Sequence, residues 1–189
     1  RKAHGGEHFP VLEEAVGRTF VAGVGGDGVF HLAWRLQNQN LLDYFTQPLD
    51  TIVVLIGSND FLKRPHPFNG EPESVARAAG LLLQYVSRHP AACRCLIVVL
   101  ALPTIRQEHV EGAFDARRIY NAELQRQAED MNMQFLDVFE NCGKDQDCIE
   151  DDLFCKDGVH LSPAGYHFFA ERLAASLREQ HRMRHQLDS

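Results

Sequence analysis

Long apolar runs are missing from this sequence of 189 residues. The longest are Thr51–Ile56 and Leu96–Leu102, far short of the roughly 20 residues that a membrane-spanning helix needs. Lysine and arginine form no long run, and the formal net charge is −7. Because phosphate binding needs a basic surface, this acidic balance argues against a nucleic-acid partner. With 44% hydrophobic and 24% charged residues, residues 1–189 have the composition of one globular domain.

Cysteine is scarce, and the five residues present lack the paired C-x-x-C spacing of a structural zinc site. Cys93 and Cys95 border a predicted buried strand and are expected to be ordinary thiols. Cys142, Cys148 and Cys155 lie in an acidic loop, where a Cys142–Cys148 disulfide and unpaired thiols are both open. The sequence has no Asn-x-Ser/Thr sequon to support secretion, so the compartment stays open, with the cytoplasm slightly favoured. The pattern requires neither a metal nor a cofactor.

Helical and strand patterns alternate along the chain. The predicted helices are Glu7–Val16, Val29–Leu36, Glu73–Arg88, Glu111–Met131 and Pro163–Arg182. The predicted strands are Arg18–Ala22, Thr51–Ile56, Cys95–Leu102 and Gln134–Val138. The second and third strands are continuous apolar runs, which are typical of strands buried on both faces. Strands separated by helices of this length predict parallel βαβ units, and therefore an α/β fold with a parallel sheet in a three-layer α/β/α sandwich.

Parallel sheets carry their functional residues in the loops that follow the strands. The first such loop, Gly23–Gly28, formally spells the G-x-G-x-x-G fingerprint of dinucleotide-binding proteins. That fingerprint also needs an acidic residue about 20 positions later, whereas the next strand ends only at Gly57–Asp60. A second interpretation is that a glycine amide stabilises an oxyanion, because both uses need close approach of the backbone. A plain tight turn is the third interpretation.

Two further loops carry polar side chains that suit catalysis. Asn59 could present its amide NH2 where negative charge develops, although an Asx-turn that ends the strand would use the same residue type. Asp157 precedes His160 by three residues, so its carboxylate could accept the ring N–H and fix the tautomer of a general base. Ser162 and Pro163 suit the cap and the first position of the last helix. The three loops together predict an oxyanion hole, a base and its orienting carboxylate, and lack only a nucleophile.

This combination of motifs resembles the SGNH hydrolase superfamily, the GDSL-like esterases and lipases, in which four blocks supply Ser, Gly, Asn and His. The stretch D-G-V-H-L-S-P from Asp157 looks like the last block, G-S-N-D from Gly57 like the Asn block, and G-V-G-G-D-G from Gly23 like the glycine block. The stretch G-G-D-G-V-F-H-L-A-W-R-L, which ends at Leu36, is similar to the catalytic subunits of type Ib platelet-activating factor acetylhydrolases and their microbial relatives.

The resemblance implies a role for each matching residue. Gly26 would give a backbone N–H and Asn59 a side-chain N–H to the oxyanion, while His160 would be the general base and Asp157 its orienting partner. The implied reaction is hydrolysis of a carboxylic ester through an acyl-enzyme. The implied substrate is a small ester or lipid-like molecule, with acetyl as the favoured acyl group. Related enzymes can form homodimers.

The serine block G-D-S is the part of the family pattern that this sequence does not contain. No serine occurs before Ser58, which occupies a variable position of its block, and Ser162 belongs to the helix cap. We therefore expect the nucleophile, together with a further strand, at or just upstream of Arg1. On that expectation the chain is N-terminally incomplete and is itself inactive. The alternative is a catalytically inactive SGNH-like domain that serves as a protein- or RNA-binding module.

Overall fold

A computed structural model describes residues 9–45, 47–62, 71–103, 113–140 and 151–187. The helices in these ranges are α1 (Phe9–Val16), α2 (Val29–Asn38), α3 (Ser58–Leu62), α4 (Pro72–Ser87), α5 (Ala113–Asp130) and α6 (Pro163–Leu187). The strands are β1 (Thr51–Val54), β2 (Leu96–Leu100) and β3 (Gln134–Leu136). Short 3-10 turns lie at Leu41–Tyr44, Pro90–Ala92 and Asp151–Leu153. The chain divides into two compact units, one holding Gly26–Pro103 and Glu108–Asp137, the other Arg1–Gly25, Thr104–Gln107 and Val138–Ser189.

The unit that begins at Gly26 contains the sheet. Its three described strands lie in the order β1-β2-β3, and both neighbouring pairs are parallel. Thr51 pairs with Leu96, and Val98 with Gln134. Parallel strands need a crossover between them, and helices α4 and α5 stand at the two crossovers along the chain. The predicted fold class, α/β with a parallel sheet, is therefore confirmed.

The core of this unit lies between one face of the sheet and helices α2, α4 and α5. Alternate strand residues contribute to it because successive side chains point to opposite faces. Its buried members include Val54, Val75, Ala79, Leu83, Val99, Tyr120 and Leu124. The predicted helix at Glu73–Arg88 corresponds to α4, and its apolar residues supply the middle of this core.

Two strand predictions differ from the structure. The predicted strand Arg18–Ala22 is not a strand, and Phe20 and Val21 are more than half exposed. The run Thr51–Ile56 forms a strand only as far as Val54, and it is not buried on both faces. Ile52 and Val54 face the core, whereas Val53 and Leu55, on the opposite face, are 37% and 44% exposed. An apolar run shows that the side chains are hydrophobic, but it does not show whether other elements cover one face of the strand or both.

The other unit is built on the two terminal helices. Helix α1 packs against α6, and the turn at Asp151–Leu153 also contacts α6. The ring of Phe139 lies 5.8 Å from that of Phe168 and 6.2 Å from that of Phe169, centroid to centroid. This aromatic cluster fixes the first turns of α6, and the loop before α6 carries the predicted histidine block. No helix among the described residues is long and apolar enough to cross a bilayer.

Candidate active site

The loop before α6 brings Asp157 and His160 into direct contact. The Oδ2 atom of Asp157 lies 2.6 Å from Nδ1 of His160. Its Oδ1 atom accepts hydrogen bonds from the backbone N–H groups of Val159, at 2.9 Å, and His160, at 3.0 Å. Both side chains are about half exposed, at 50% for Asp157 and 55% for His160. One carboxylate thus orients both the backbone and the ring of the histidine.

The electrostatics of this pair determine which ring nitrogen can act as a base. The two backbone hydrogen bonds, followed by that from the His160 ring, lower the pKa of Asp157 to about 2 from 3.8. The carboxylate is therefore ionised near neutral pH and can only accept hydrogen bonds. Nδ1 of His160 must then carry the proton, which leaves Nε2 as the nitrogen of the neutral ring that can take one up.

A short clasp holds the loop that carries the pair. Phe154 and Leu161 form an antiparallel bridge, and inside it the backbone N–H of Cys155 donates to the carbonyl oxygen of His160 at 2.7 Å. The tip turns at Gly158, whose φ of +66° is unfavourable for residues with a side chain. The sequence D-G-V-H therefore supplies the turn as well as the two polar groups.

The start of α6 matches the prediction. Ser162 Oγ accepts a hydrogen bond from the backbone N–H of Gly165 at 3.0 Å, and Pro163 is the first helical residue. The same hydroxyl donates to the carbonyl oxygen of Asp152. These two hydrogen bonds occupy the hydroxyl, so Ser162 acts as the helix cap. They support the interpretation that Ser162 is not the nucleophile.

In the unit that contains the sheet, Asn59 contacts the glycine-rich loop. Its Nδ2 atom donates to the carbonyl oxygen of Asp27 at 2.8 Å. The next residue, Asp60, is 1% exposed, and its Oδ2 atom accepts from the backbone N–H of Val29 at 3.1 Å. Both side chains thus reach a loop about 30 positions back along the chain. The glycine block and the Asn block are therefore in direct contact.

The contact of Asp60 with the start of α2 is a feature that the sequence did not predict. Helix α2 begins after Gly28, which has no side chain to cap the first backbone N–H groups. Asp60 supplies a carboxylate there from another element, and a negative charge at a helix N-terminus is favourable. A Cβ atom on Gly28 would lie only 2.5 Å from Oδ1 of Asp60, so the two residues fit together. The glycine at the expected cap position of α2 was the one sequence signal that the cap would come from another segment.

The same contact decides against the dinucleotide interpretation of Gly23–Gly28. That motif places a pyrophosphate at the N-terminus of the helix that follows it. Here the Asp60 carboxylate occupies this position at Val29, and it would repel a phosphate. The strand that should precede the motif is also absent, because residues 18–22 form no strand. The loop instead contains a turn in which Gly26 has a φ of +90°, as the tight-turn interpretation requires.

The end of β1 approaches α5 closely at Gly57. The hydroxyl of Tyr120 donates to the carbonyl oxygen of Ile56 at 2.7 Å. Gly57 has a φ of +117°, and a Cβ atom there would lie 2.7 Å from this hydroxyl oxygen. Burial raises the pKa of Tyr120 well above its usual range, and the nearby carboxylate of Asp60 raises it further. The glycine of the Asn block is therefore required for packing, while Asn59 carries the polar group.

The structure thus brings Asp157 into contact with His160, and Asn59 into contact with Asp27, the neighbour of Gly26. Gly26 and Asn59 belong to the unit with the sheet, and Asp157 and His160 to the other. Among the cysteines, Cys93 and Cys95 are reduced thiols, as predicted, and Cys155 is an exposed thiol. Cys142 and Cys148 lie outside the described residues.

Comparisons with known proteins identify the family and the fold of the chain. The GDSL-like lipase/acylhydrolase family matches residues 4–168. A protein described as a platelet activating factor from Streptococcus pneumonia superimposes with a TM-score of 0.68 at 24% identity, over 90% of this chain and 78% of the other. An acetyl xylan esterase gives 0.62 at 18% identity, over 89% of each chain. A carbohydrate acetylesterase from Sinorhizobium meliloti gives 0.58 at 18% identity, over 82% of this chain and 68% of the other.

The parallel α/β fold is that of a family of ester hydrolases. The chain belongs to the GDSL-like lipase/acylhydrolase family, since the family match covers most of its length. The solved structures are less than 25% identical to it, so they establish the shared fold. No curated protein matches the sequence.

Proposed function

We propose that the full-length gene product hydrolyses carboxylic esters through an acyl-enzyme, with His160 as general base and Asp157 as its orienting carboxylate. The contact of 2.6 Å between Asp157 and His160, within a clasped loop of the family's histidine block, carries this proposal. An ionised carboxylate on Nδ1 favours the imidazolium that forms when Nε2 accepts a proton. The nucleophile of the proposed reaction is the serine of the family's serine block.

In the first step, the serine oxygen attacks the ester carbonyl carbon while Nε2 of His160 takes the hydroxyl proton. The oxyanion that forms is stabilised by the backbone N–H of Gly26 and by an N–H of Asn59. Collapse of this intermediate breaks the ester C–O bond, and His160 returns the proton to the leaving alcohol. A water molecule, deprotonated by His160, then attacks the acyl-serine, and the acid and free serine are released.

Acetyl esters are the substrates of choice for a first test, because two of the similar structures are described as acetyl esterases. Each oxyanion donor is worth about 2.7–4 kcal/mol of transition-state stabilisation in such sites. Replacing Asn59 with alanine should therefore lower kcat on the order of a hundredfold, with little effect on KM.

The test uses hydrolysis of p-nitrophenyl acetate by the full-length gene product, together with labelling by a fluorophosphonate. We expect wild-type turnover and labelling, and loss of turnover in His160→Ala. The exposed His167 on α6 provides the matched control, since His167→Ala makes the same substitution away from the loop. Unchanged activity in His160→Ala would refute the assignment of the base. Absence of both turnover and labelling in the wild type would favour the inactive binding module.

A further inference from the structure

Asp27 stands between the proposed oxyanion donor and a cation on α2. Its backbone carbonyl oxygen accepts the Nδ2 hydrogen bond of Asn59 at 2.8 Å. Its carboxylate oxygen Oδ2 accepts from Arg35, at 2.9 Å from Nε and 2.7 Å from Nη2. The two side chains of this ion pair are only 15% and 17% exposed. Asp27 thus binds Arg35 through its side-chain carboxylate and Asn59 through its backbone carbonyl.

The geometry of the pair restricts how Asp27 can move. Arg35 lies eight residues further along the chain, on α2, so the loop before the helix is tied to the side of that helix. Two guanidinium nitrogens bind one carboxylate oxygen, and the rigid planar guanidinium fixes the direction of both hydrogen bonds. A partly buried pair of this kind is screened less by solvent than an exposed one. The position of Asp27 is therefore restrained through its side-chain carboxylate and through its backbone carbonyl group.

The hydrogen bond to Asp27 also sets the direction of the second N–H of Asn59. A side-chain amide is planar and carries two hydrogens on one nitrogen. When one hydrogen points to the Asp27 carbonyl, rotation of the amide is fixed and so is the direction of the other hydrogen. Stabilisation of an oxyanion depends on such fixed directions, because a donor that must reorient loses part of its effect.

We propose that Arg35 and Asp27 form a positioning pair, which fixes the Asn59 amide in the orientation that an oxyanion donor needs. This inference rests on the proposed function. Arg35 acts through Asp27 and then Asn59, so its removal should affect the transition state more than substrate binding. It should also have no further effect on kcat once the Asn59 amide is gone.

The test compares kcat and KM of the full-length gene product for p-nitrophenyl acetate in a double-mutant cycle. Arg35→Met, which removes the guanidinium and keeps an aliphatic side chain, should lower kcat about tenfold with KM within about twofold of wild type. In an Asn59→Ala background the same change should alter kcat by less than about twofold. Equal losses in the two backgrounds would overturn the proposal, because a purely structural role gives additive effects.

Two additional variants keep the test independent of folding defects. Arg35→Lys retains the charge but cannot make both hydrogen bonds, and we expect it to recover only part of kcat. Arg126→Met removes the ion pairs of the exposed Arg126 with Glu123 and Asp130 on α5, and should leave kcat unchanged. Full activity in Arg35→Lys and in Arg35→Met would overturn the positioning role.

A spectroscopic measurement separates this inference from the proposed function. The side-chain NH2 signal of Asn59 in a ¹⁵N–¹H spectrum is identified by its loss in Asn59→Ala. We expect Arg35→Met to shift that signal, and Arg126→Met to leave it in place. An unmoved signal in Arg35→Met would overturn the positioning of Asn59 by Arg35. Absence of esterase activity in the wild type would instead count against the proposed function. The spectrum would still show whether Arg35 fixes the orientation of the Asn59 amide.

Discussion

Replacing Gly28 with alanine should disturb the contact between the glycine-rich loop and Asp60 on α3. The added Cβ atom would lie 2.5 Å from Oδ1, 2.8 Å from Oδ2 and 2.9 Å from Cγ of Asp60. Asp60 cannot move aside freely, because it is 1% exposed and its carboxylate accepts from the backbone N–H of Val29. The substitution therefore forces either the carboxylate out of its position or the loop away from α3.

The expected cost follows from these two effects. Overpacking a tightly filled site costs about 1–3 kcal/mol. Losing the hydrogen bond between Asp60 and Val29 would add about 1–3 kcal/mol, because it leaves buried polar groups without a partner. Since part of the strain is relieved when the bond breaks, we expect the free energy of unfolding to fall by about 2–4 kcal/mol. With a urea dependence of about 2 kcal/mol per molar, the midpoint should fall by about 1–2 M.

Urea unfolding of the two alanine variants Gly28→Ala and Gly25→Ala measures this effect against a matched control. A Cβ atom on Gly25 would meet nothing within 4 Å, so Gly25→Ala should shift the midpoint little. In an Asp60→Ala background, Gly28→Ala should cost less than about 1 kcal/mol, because the clashing atoms are gone. A Gly28→Ala midpoint equal to that of wild type would refute the reasoning, as would an equal cost in both backgrounds.

Two other predictions concern the remaining loops. The pKa of Asp157 is lowered to about 2 from 3.8, so its ionised form stabilises the fold above about pH 4, and this contribution is lost as the pH falls towards about 2. The difference in Tm between wild type and Asp157→Asn should thus close between about pH 4 and about pH 2, and a difference that does not vary with pH would contradict the assignment. Gly57→Ala should cost about 3 kcal/mol or more in urea unfolding, because Gly57 has a φ of +117° and its Cβ atom would lie 2.7 Å from the Tyr120 hydroxyl oxygen. Gly17→Ala, with a φ of +86° but open space around its Cβ atom, should cost only about 1–2 kcal/mol, and equal costs would show that backbone strain alone decides.

Local sequence signals were sufficient where one short segment determines the structure. The D-G-V-H-L-S-P stretch contains its own turn, its carboxylate–imidazole pair and its helix cap, and the predictions for Asp157, His160 and Ser162 agree with the geometry. Helix α2 and strand β2 were also predicted close to their observed bounds, because periodic or continuous apolar patterns are strong signals. The catalytic roles of these residues stay predictions.

Contacts between distant segments were not predictable in the same way. Nothing local to G-S-N-D shows that Asp60 caps a helix more than two dozen residues earlier, or that Asn59 binds the Asp27 carbonyl. The exposure of Val53 likewise depends on which elements cover the sheet, a property of the packing and not of the run itself. Arg35 carried no signal from the sequence, because its partner Asp27 lies neither three nor four residues away on the helix.

The clasped loop also has a consequence for the order of folding. Asp157 and His160 are three residues apart, so closing the loop between them costs little chain entropy and depends on few other contacts. The contact between Asn59 and Asp27 spans 32 positions and forms only when the chain between them has folded. We therefore expect a folding chain to acquire the carboxylate–imidazole pair early and the oriented amide late. A partly folded molecule would then hold the carboxylate–imidazole pair before the amide of Asn59 has found the Asp27 carbonyl.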